Sequence, residues 1–270
     1  FTGHRLSAAS GFGARPEAAT VAIVADAAPA ASAGPSAAPA ATDTPSAKAA
    51  APAEATRATD AEIGEAQEGG ARALGELLTR HPRDPAGLEL LALELAKEPE
   101  RASELLRVLD ALFAEAPDKA ADAELAKLVH AASLSGPTQT RAIELMRTSM
   151  GVRGAEMLFD LMLAHPEMRP RAKAALDTAE VQRNLSPALK VAYDLYTAPG
   201  CAARVQLLPE VLRDGDERAI GVLTTFTMFT KQGCGARKTQ PCPPQCATQV
   251  PVFHSAMKQI RARLAAQPKA

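Results

Sequence analysis

The 270-residue chain carries 30 Lys and Arg against 31 Asp and Glu, a formal net charge of -1, and that balance sets up no global field for nucleic acid or an anionic membrane. Aromatic residues make up 3%, with no Trp and two Tyr, too few for base-stacking platforms. The longest apolar run near the start, residues 21–25, is far short of the roughly 20 that cross a bilayer, and residues 1–14 lack the basic start and apolar run of a signal peptide. No membrane span is expected within this chain, which opens on Phe1 rather than Met and reads as processed or as a part of something longer.

Residues 26–60 contain no Val, Ile, Leu, Met, Phe, Tyr or Cys. A segment without large apolar side chains cannot offset the entropy of ordering its backbone, and recurrent proline breaks any alanine helix. Residues 1–60 are therefore expected to be a disordered, semi-extended Ala/Pro/Ser-rich linker. Pro35 and Pro39 miss a PxxP recognition spacing by one residue.

From residue 61 the apolar positions recur three and four apart. Leu88, Leu91, Ala92 and Leu95 follow Pro85; Leu105, Leu106, Leu109, Leu112 and Phe113 follow Pro99. Ile143 and Met146 follow Pro137, and Leu158, Phe159 and Met162 follow Gly154. Leu189, Ala192, Tyr193 and Tyr196 follow Pro187, and Phe253, Met257, Ile260 and Leu264 follow Pro251. Each set is one stripe of a helix. Pro85, Pro99, Pro117, Pro137, Pro187 and Pro251 suit a first helical position, where the missing N–H loses no partner. Asp84 and Ser186 suit N-caps. The spacing predicts about ten helices of roughly 10 to 16 residues joined by short connections. The β-rich piece 224–230 fits a helix too, with Leu223, Phe226 and Phe229 inward. The expected fold class is all-α: an array of antiparallel helix pairs over residues 61–270, long enough to bury about 70% of its unfolded surface.

Residues 207–220 resemble one HEAT repeat, with a leucine-rich first helix, an acidic turn and a second helix opening on arginine. The resemblance implies that Pro209 supplies the kink of the first helix and that Asp214 and Arg218 form the turn pair. Residues 77–113 are similar to tetratricopeptide helix pairs; both resemblances point to an α-α superhelix. Leu189–Leu195, Gly200-Cys201, Gly233-Cys234-Gly235, Pro241-Cys242 and Cys246 together resemble tails of bacterial lipoproteins and of membrane-bound serine/threonine protein kinases. That resemblance implies an extracytoplasmic module, with an anchor upstream and residues 1–60 as a juxtamembrane spacer. No kinase motif occurs in the chain, so no kinase role passes to any residue.

All four cysteines, Cys201, Cys234, Cys242 and Cys246, fall in the last 70 residues. Two disulfides in three connectivities are open to them, and the loop 231–250 has little to pack and needs a staple. The rival is zinc held by Cys234, Cys242, Cys246 and His254, with Cys201 spare; the absence of a Cys-x-x-Cys knuckle counts against it. Residues 233–239 look like a phosphate loop but have Arg237 where glycine must precede the lysine. His81 and His165, each before a proline, are read as helix C-terminal residues. Met146, Met150, Met157, Met162 and Met168 are read as core. No catalytic motif is found. The functional expectation is a non-enzymatic interaction or structural module, without cofactor, whose partner is a protein rather than nucleic acid, outside the cytoplasm. The alternatives are a cytoplasmic zinc-stabilised helical scaffold and the accessory tail of a signalling kinase.

Overall fold

A computed structural model describes residues 57–229 and 233–267. Residues 1–56 of the expected 1–60 linker lie outside the described residues, and at its end Thr59 caps and Asp60 opens the first helix. Fourteen α-helices and no strand occur among the described residues. The first nine are α1 (Asp60–Glu68), α2 (Gly70–Arg80), α3 (Pro85–Leu95), α4 (Ala102–Glu115), α5 (Ala123–Leu134), α6 (Gln139–Thr148), α7 (Gly151–Ala164), α8 (Arg169–Leu176) and α9 (Ala179–Arg183). Then come α10 (Pro187–Thr197), α11 (Cys201–Gln206), α12 (Leu208–Asp214), α13 (Glu217–Thr227) and α14 (Val250–Ala266).

Side-chain caps start several of these helices. The Thr59 hydroxyl accepts from the Glu62 N–H while the Glu62 carboxylate accepts from the Thr59 N–H, a capping box ahead of α1. Asp84, Asp122, Ser186 and Asp216 cap α3, α5, α10 and α13 in the same sense. Pro85 and Pro187 are the first residues of their helices. Pro99 and Pro117 instead open short 3-10 turns ahead of α4 and α5, and Pro137 lies in the turn before α6. The tight turn still uses the fixed φ of proline, but the α-helix proper starts later.

In α1–α9 each helix packs on the next, and α4–α6, α6–α8 and α7–α9 add second-neighbour contacts. That is the arrangement a helical-repeat fold requires. The predicted stripes face inward: Leu105, Leu106, Leu109, Leu112 and Phe113 of α4 are all buried, as are Met146, Met150, Met157, Met162 and Met168. Gly154 permits the closest approach, because a β-carbon there would collide with the carbonyl of Met146 across the α6–α7 turn.

The last five helices pack out of chain order: α10 contacts α12 and α13, and α14 contacts α12 and α13. Tyr193 ties this group to the array. Its hydroxyl donates to Asp177 at the end of α8, and its ring meets Phe159 of α7 edge-on at 6.5 Å.

Two expectations are corrected. There are more and shorter helices than predicted, because α8, α9, α11 and α12 have five to eight residues. The break at Asp177-Thr178 has neither proline nor glycine to announce it, whereas the break at Leu207 is followed by Pro209, which the repeat resemblance assigns as a kink within one helix. Phe229 does not point inward: α13 ends at Thr227, and Phe229 lies beyond it, 66% exposed.

Candidate functional site

The loop between α13 and α14 contains almost nothing that can form a core, and covalent bonds hold it instead. Cys234 and Cys242 are bonded across a small hairpin in which Cys234 and Gln240 exchange both backbone hydrogen bonds at 3.0 Å. Gly235 (φ 79°) and Lys238 (φ 52°) make the turn with left-handed backbone. Cys201, the first residue of α11, is bonded to Cys246, which is fully buried. The Cys246 N–H also donates to the Phe226 carbonyl, at 3.2 Å.

One turn further along α11 lies Arg204, 5% exposed and without a carboxylate partner among the described residues. Its Nε and Nη2 donate to the Leu195 and Tyr196 carbonyls at the end of α10, and its guanidinium carbon sits 3.8 Å from the centroid of the Phe226 ring. The bonded carbonyls are those a helix leaves unpaired at its C-terminus, where a cation is favoured; the ring supplies a cation–π contact. Burial lowers the Arg204 pKa from its ordinary value. Arg204, Phe226, Cys246 and Cys201 therefore form one clasp joining α10, α11, α13 and the loop.

The sequence-predicted zinc set is not brought together. Cys234, Cys242 and Cys246 are all in disulfides, which leave no thiolate for a metal, and His254 is exposed on α14. No group of three or more His, Cys, Asp or Glu side chains is placed to hold a metal among the described residues. The segment 233–239 opens no helix, as a phosphate loop must.

The repeat-like turn is also rearranged. Pro209 is the second residue of α12. Asp214 pairs with Arg213 at 2.9 Å, not with Arg218. Arg218 pairs with Asp216 at 2.9 Å and reaches across to α7, where Glu156 Oε1 is 3.2 Å and Asp160 Oδ1 3.8 Å away. The helix starts at Glu217, so Asp216 is the capping residue and Asp214 belongs to the preceding helix. Burial lowers the Arg218 pKa, but the charges of Glu156, Asp216 and Asp160 outweigh it and the net shift is upward. Burial likewise leads an upward shift at Asp160. His81 and His165 occupy the C-caps of α2 and α7, as the proline after each suggested.

One set of residues escaped the reading of composition. Residues 218–270 contain eight Lys or Arg and neither Asp nor Glu, whereas residues 57–217 contain 27 Asp or Glu against 19 Lys or Arg. The overall charge of -1 conceals this; the charge of successive segments exposes it. In space, His254 and Arg261 of α14 line an open groove of about 370 Å³ with Thr224, Thr227, Met228 and Met257. Met228 and Phe229 are 59% and 66% exposed and Val252 41%. No family model matches the sequence, and neither a curated protein nor a solved structure matches it.

Proposed function

We propose that the chain is a non-enzymatic protein-interaction module working in an oxidising compartment outside the cytoplasm. Within this reading, α1–α9 serve as a HEAT- or tetratricopeptide-like surface, and α10–α14 form a stapled end. The resemblance of the tail to bacterial lipoproteins adds an anchor upstream and a place at a bacterial cell envelope.

The observation that carries the reading is the closure of all four cysteines into Cys201–Cys246 and Cys234–Cys242. Structural disulfides persist where thiols are not kept reduced, and these two replace a core that the 230–249 segment lacks. Binding is favoured over chemistry because many surface charges of α1–α9 neutralise one another in pairs, such as Arg101–Glu104 and Arg147–Glu180, and the convergence of ionisable side chains around Asp160, with Lys127, His130 and Arg153, matches no catalytic motif.

The test is a thiol count on unalkylated protein denatured without reductant. Zero reactive thiols, rising to four after reduction, is the expected result. Four thiols before reduction would remove the compartment from the proposal. Capture of a specific partner by the immobilised, oxidised chain and not by its reduced form is the second expected result.

A further inference from the structure

Elsewhere in the chain, helices pair unlike charges three or four residues apart. Arg72–Glu76, Glu94–Lys97, Glu124–Lys127, Lys173–Asp177 and Lys190–Asp194 are ion pairs of this kind. Helix α14 departs from the rule. His254, Lys258 and Arg261 stand at i, i+4 and i+7, all exposed, with no acidic residue anywhere in the helix. Lys258 and Arg261 are like charges three apart, which destabilises a helix by a few tenths of a kcal/mol when nothing compensates. Of the other cations of this region, Arg218 is engaged by Glu156, Asp160 and Asp216, and Arg263 by the Gly215 carbonyl. Arg237 and Lys238 at the hairpin, with Lys258 and Arg261, make no ion pair among the described residues.

We propose that the groove between α13 and α14, lined by His254 and Arg261 with Lys258 exposed on the same helix between them, binds an acidic segment of a partner protein carrying an apolar anchor side chain. The charge of the partner follows from the uncompensated stripe. The anchor follows from Met228 and Met257 in the groove and from Phe229 and Val252, exposed in the same end of the molecule. The polypeptide nature follows from the concavity, since a chain segment enters a groove that a flat bilayer bridges. The acidic balance of residues 57–217 turns the opposite potential outward, so an acidic partner is steered to this end. The inference rests on the interaction-module reading above.

The test uses the oxidised 270-residue chain and a fluorescein-labelled peptide of Asp and Glu around one central Phe, followed by anisotropy. The same peptide with Lys for each acid is the control. Binding to the acidic peptide alone is expected, weakening about tenfold as salt rises from about 50 to about 200 mM. Lys258→Glu/Arg261→Glu is expected to weaken it at least about tenfold, with Arg72→Glu on α2 without effect. Lys258→Gln/Arg261→Gln, which leaves α14 without charge reversal, gives an intermediate loss if the reversed variant misfolds. Phe229→Ser is expected to weaken it further without altering the salt slope.

Four results would overturn the inference: no binding of the acidic peptide; equal binding by wild type and both double variants; binding to phosphatidylglycerol vesicles but not to the peptide; or self-association abolished by the same substitutions. A cellular partner captured equally by wild type and Lys258→Glu/Arg261→Glu would overturn this groove while leaving the interaction-module reading standing.

Discussion

Helices α1–α9 and helices α10–α14 solve the same problem with different means. In the first group most helices have an apolar stripe, α1 and α9 burying one residue each, and every helix has a sequence neighbour to pack against. In the second, four of the five helices, α10, α12, α13 and α14, pack across the chain order, α11 and α12 are one to two turns long, and the loop before α14 brings no stripe at all. There two disulfides, a buried guanidinium under an aromatic ring and a backbone hydrogen bond to Cys246 take the place of side-chain packing. Short helices are marginal by themselves; α8 and α9 are covered by α6 and α7, whereas the end next to the stripe-less loop is held by these links.

If the two groups nevertheless fold as one unit, the most damaging change lies where they meet. Phe159 of α7 is fully buried and touches Tyr193 of α10. Phe159→Ala is expected to lower stability by about 3–5 kcal/mol, read as a lower urea midpoint with both groups melting together. Separate transitions by hydrogen exchange would break the comparison into two domains. Next in size is Cys201→Ser/Cys246→Ser, expected to cost about 2–4 kcal/mol. The loss should appear as faster amide exchange in α11 and α14 with α1–α7 protected. Cys234→Ser/Cys242→Ser should cost about 1.5 kcal/mol less on the chain-entropy account, because it closes a loop of 8 rather than 45 residues. Equal losses would mean that strain or local packing, not loop closure, sets the value.

These differences also decide what was legible beforehand. Periodic apolar residues after proline identify α3, α4, α6, α10 and α14, and those after Gly154 identify α7, because a buried stripe must repeat at the helical period wherever the structure places it. The break between α8 and α9 escapes, since Asp177 and Thr178 bring neither proline nor glycine, and the break between α11 and α12 is misassigned because Pro209, a kink by the repeat resemblance, instead lies at a helix start. Cysteine connectivity escapes because Cys201 and Cys246 are 45 positions apart and meet only once the helices between them are packed. Arg204 offers no signal, as nothing in its neighbours distinguishes a buried arginine from an exposed one. Arg218 is assigned one turn partner from the repeat resemblance, whereas its strongest surroundings come from α7. The cationic stripe on α14 was readable in the sequence and is lost only in averaging over the whole chain.

The junction also carries the pH dependence. Burial raises the Tyr193 phenol above its ordinary value, and the hydrogen bond to Asp177 adds to it. Burial alone would raise Asp177, but hydrogen bonds from Lys173 and Tyr193 outweigh it and hold the carboxyl below its ordinary value. A phenol whose folded pKa is raised contributes stability below its unfolded pKa, about 10, and loses it as pH rises beyond. A carboxyl whose folded pKa is depressed contributes above about pH 4 and loses it as pH falls. Tyr193→Phe should therefore flatten the fall of Tm on the alkaline side, and Asp177→Asn on the acid side. With no Trp and two Tyr in the chain, absorbance titration of wild type against Tyr193→Phe reads the phenol directly. If neither variant changes the Tm–pH curve, the Tyr193–Asp177 bond does not join the two groups.

The smallest effect is expected inside the array, and its smallness is what the comparison requires. Arg72 and Glu76 are both strongly exposed on α2, paired at 3.1 Å one turn apart. An exposed pair gains little Coulomb energy in water and orders two long side chains, so each gives only about 0.2–0.5 kcal/mol. Arg72→Ala, Glu76→Ala and the double variant define a cycle whose coupling should fall in that range and shrink as salt is added. The array has many such pairs and none should matter much individually, because its stability lies in the buried stripes. A coupling of several kcal/mol would show that surface charge holds α1–α9 together, and the contrast drawn between a packed array and a clasped end would fail at its stronger half.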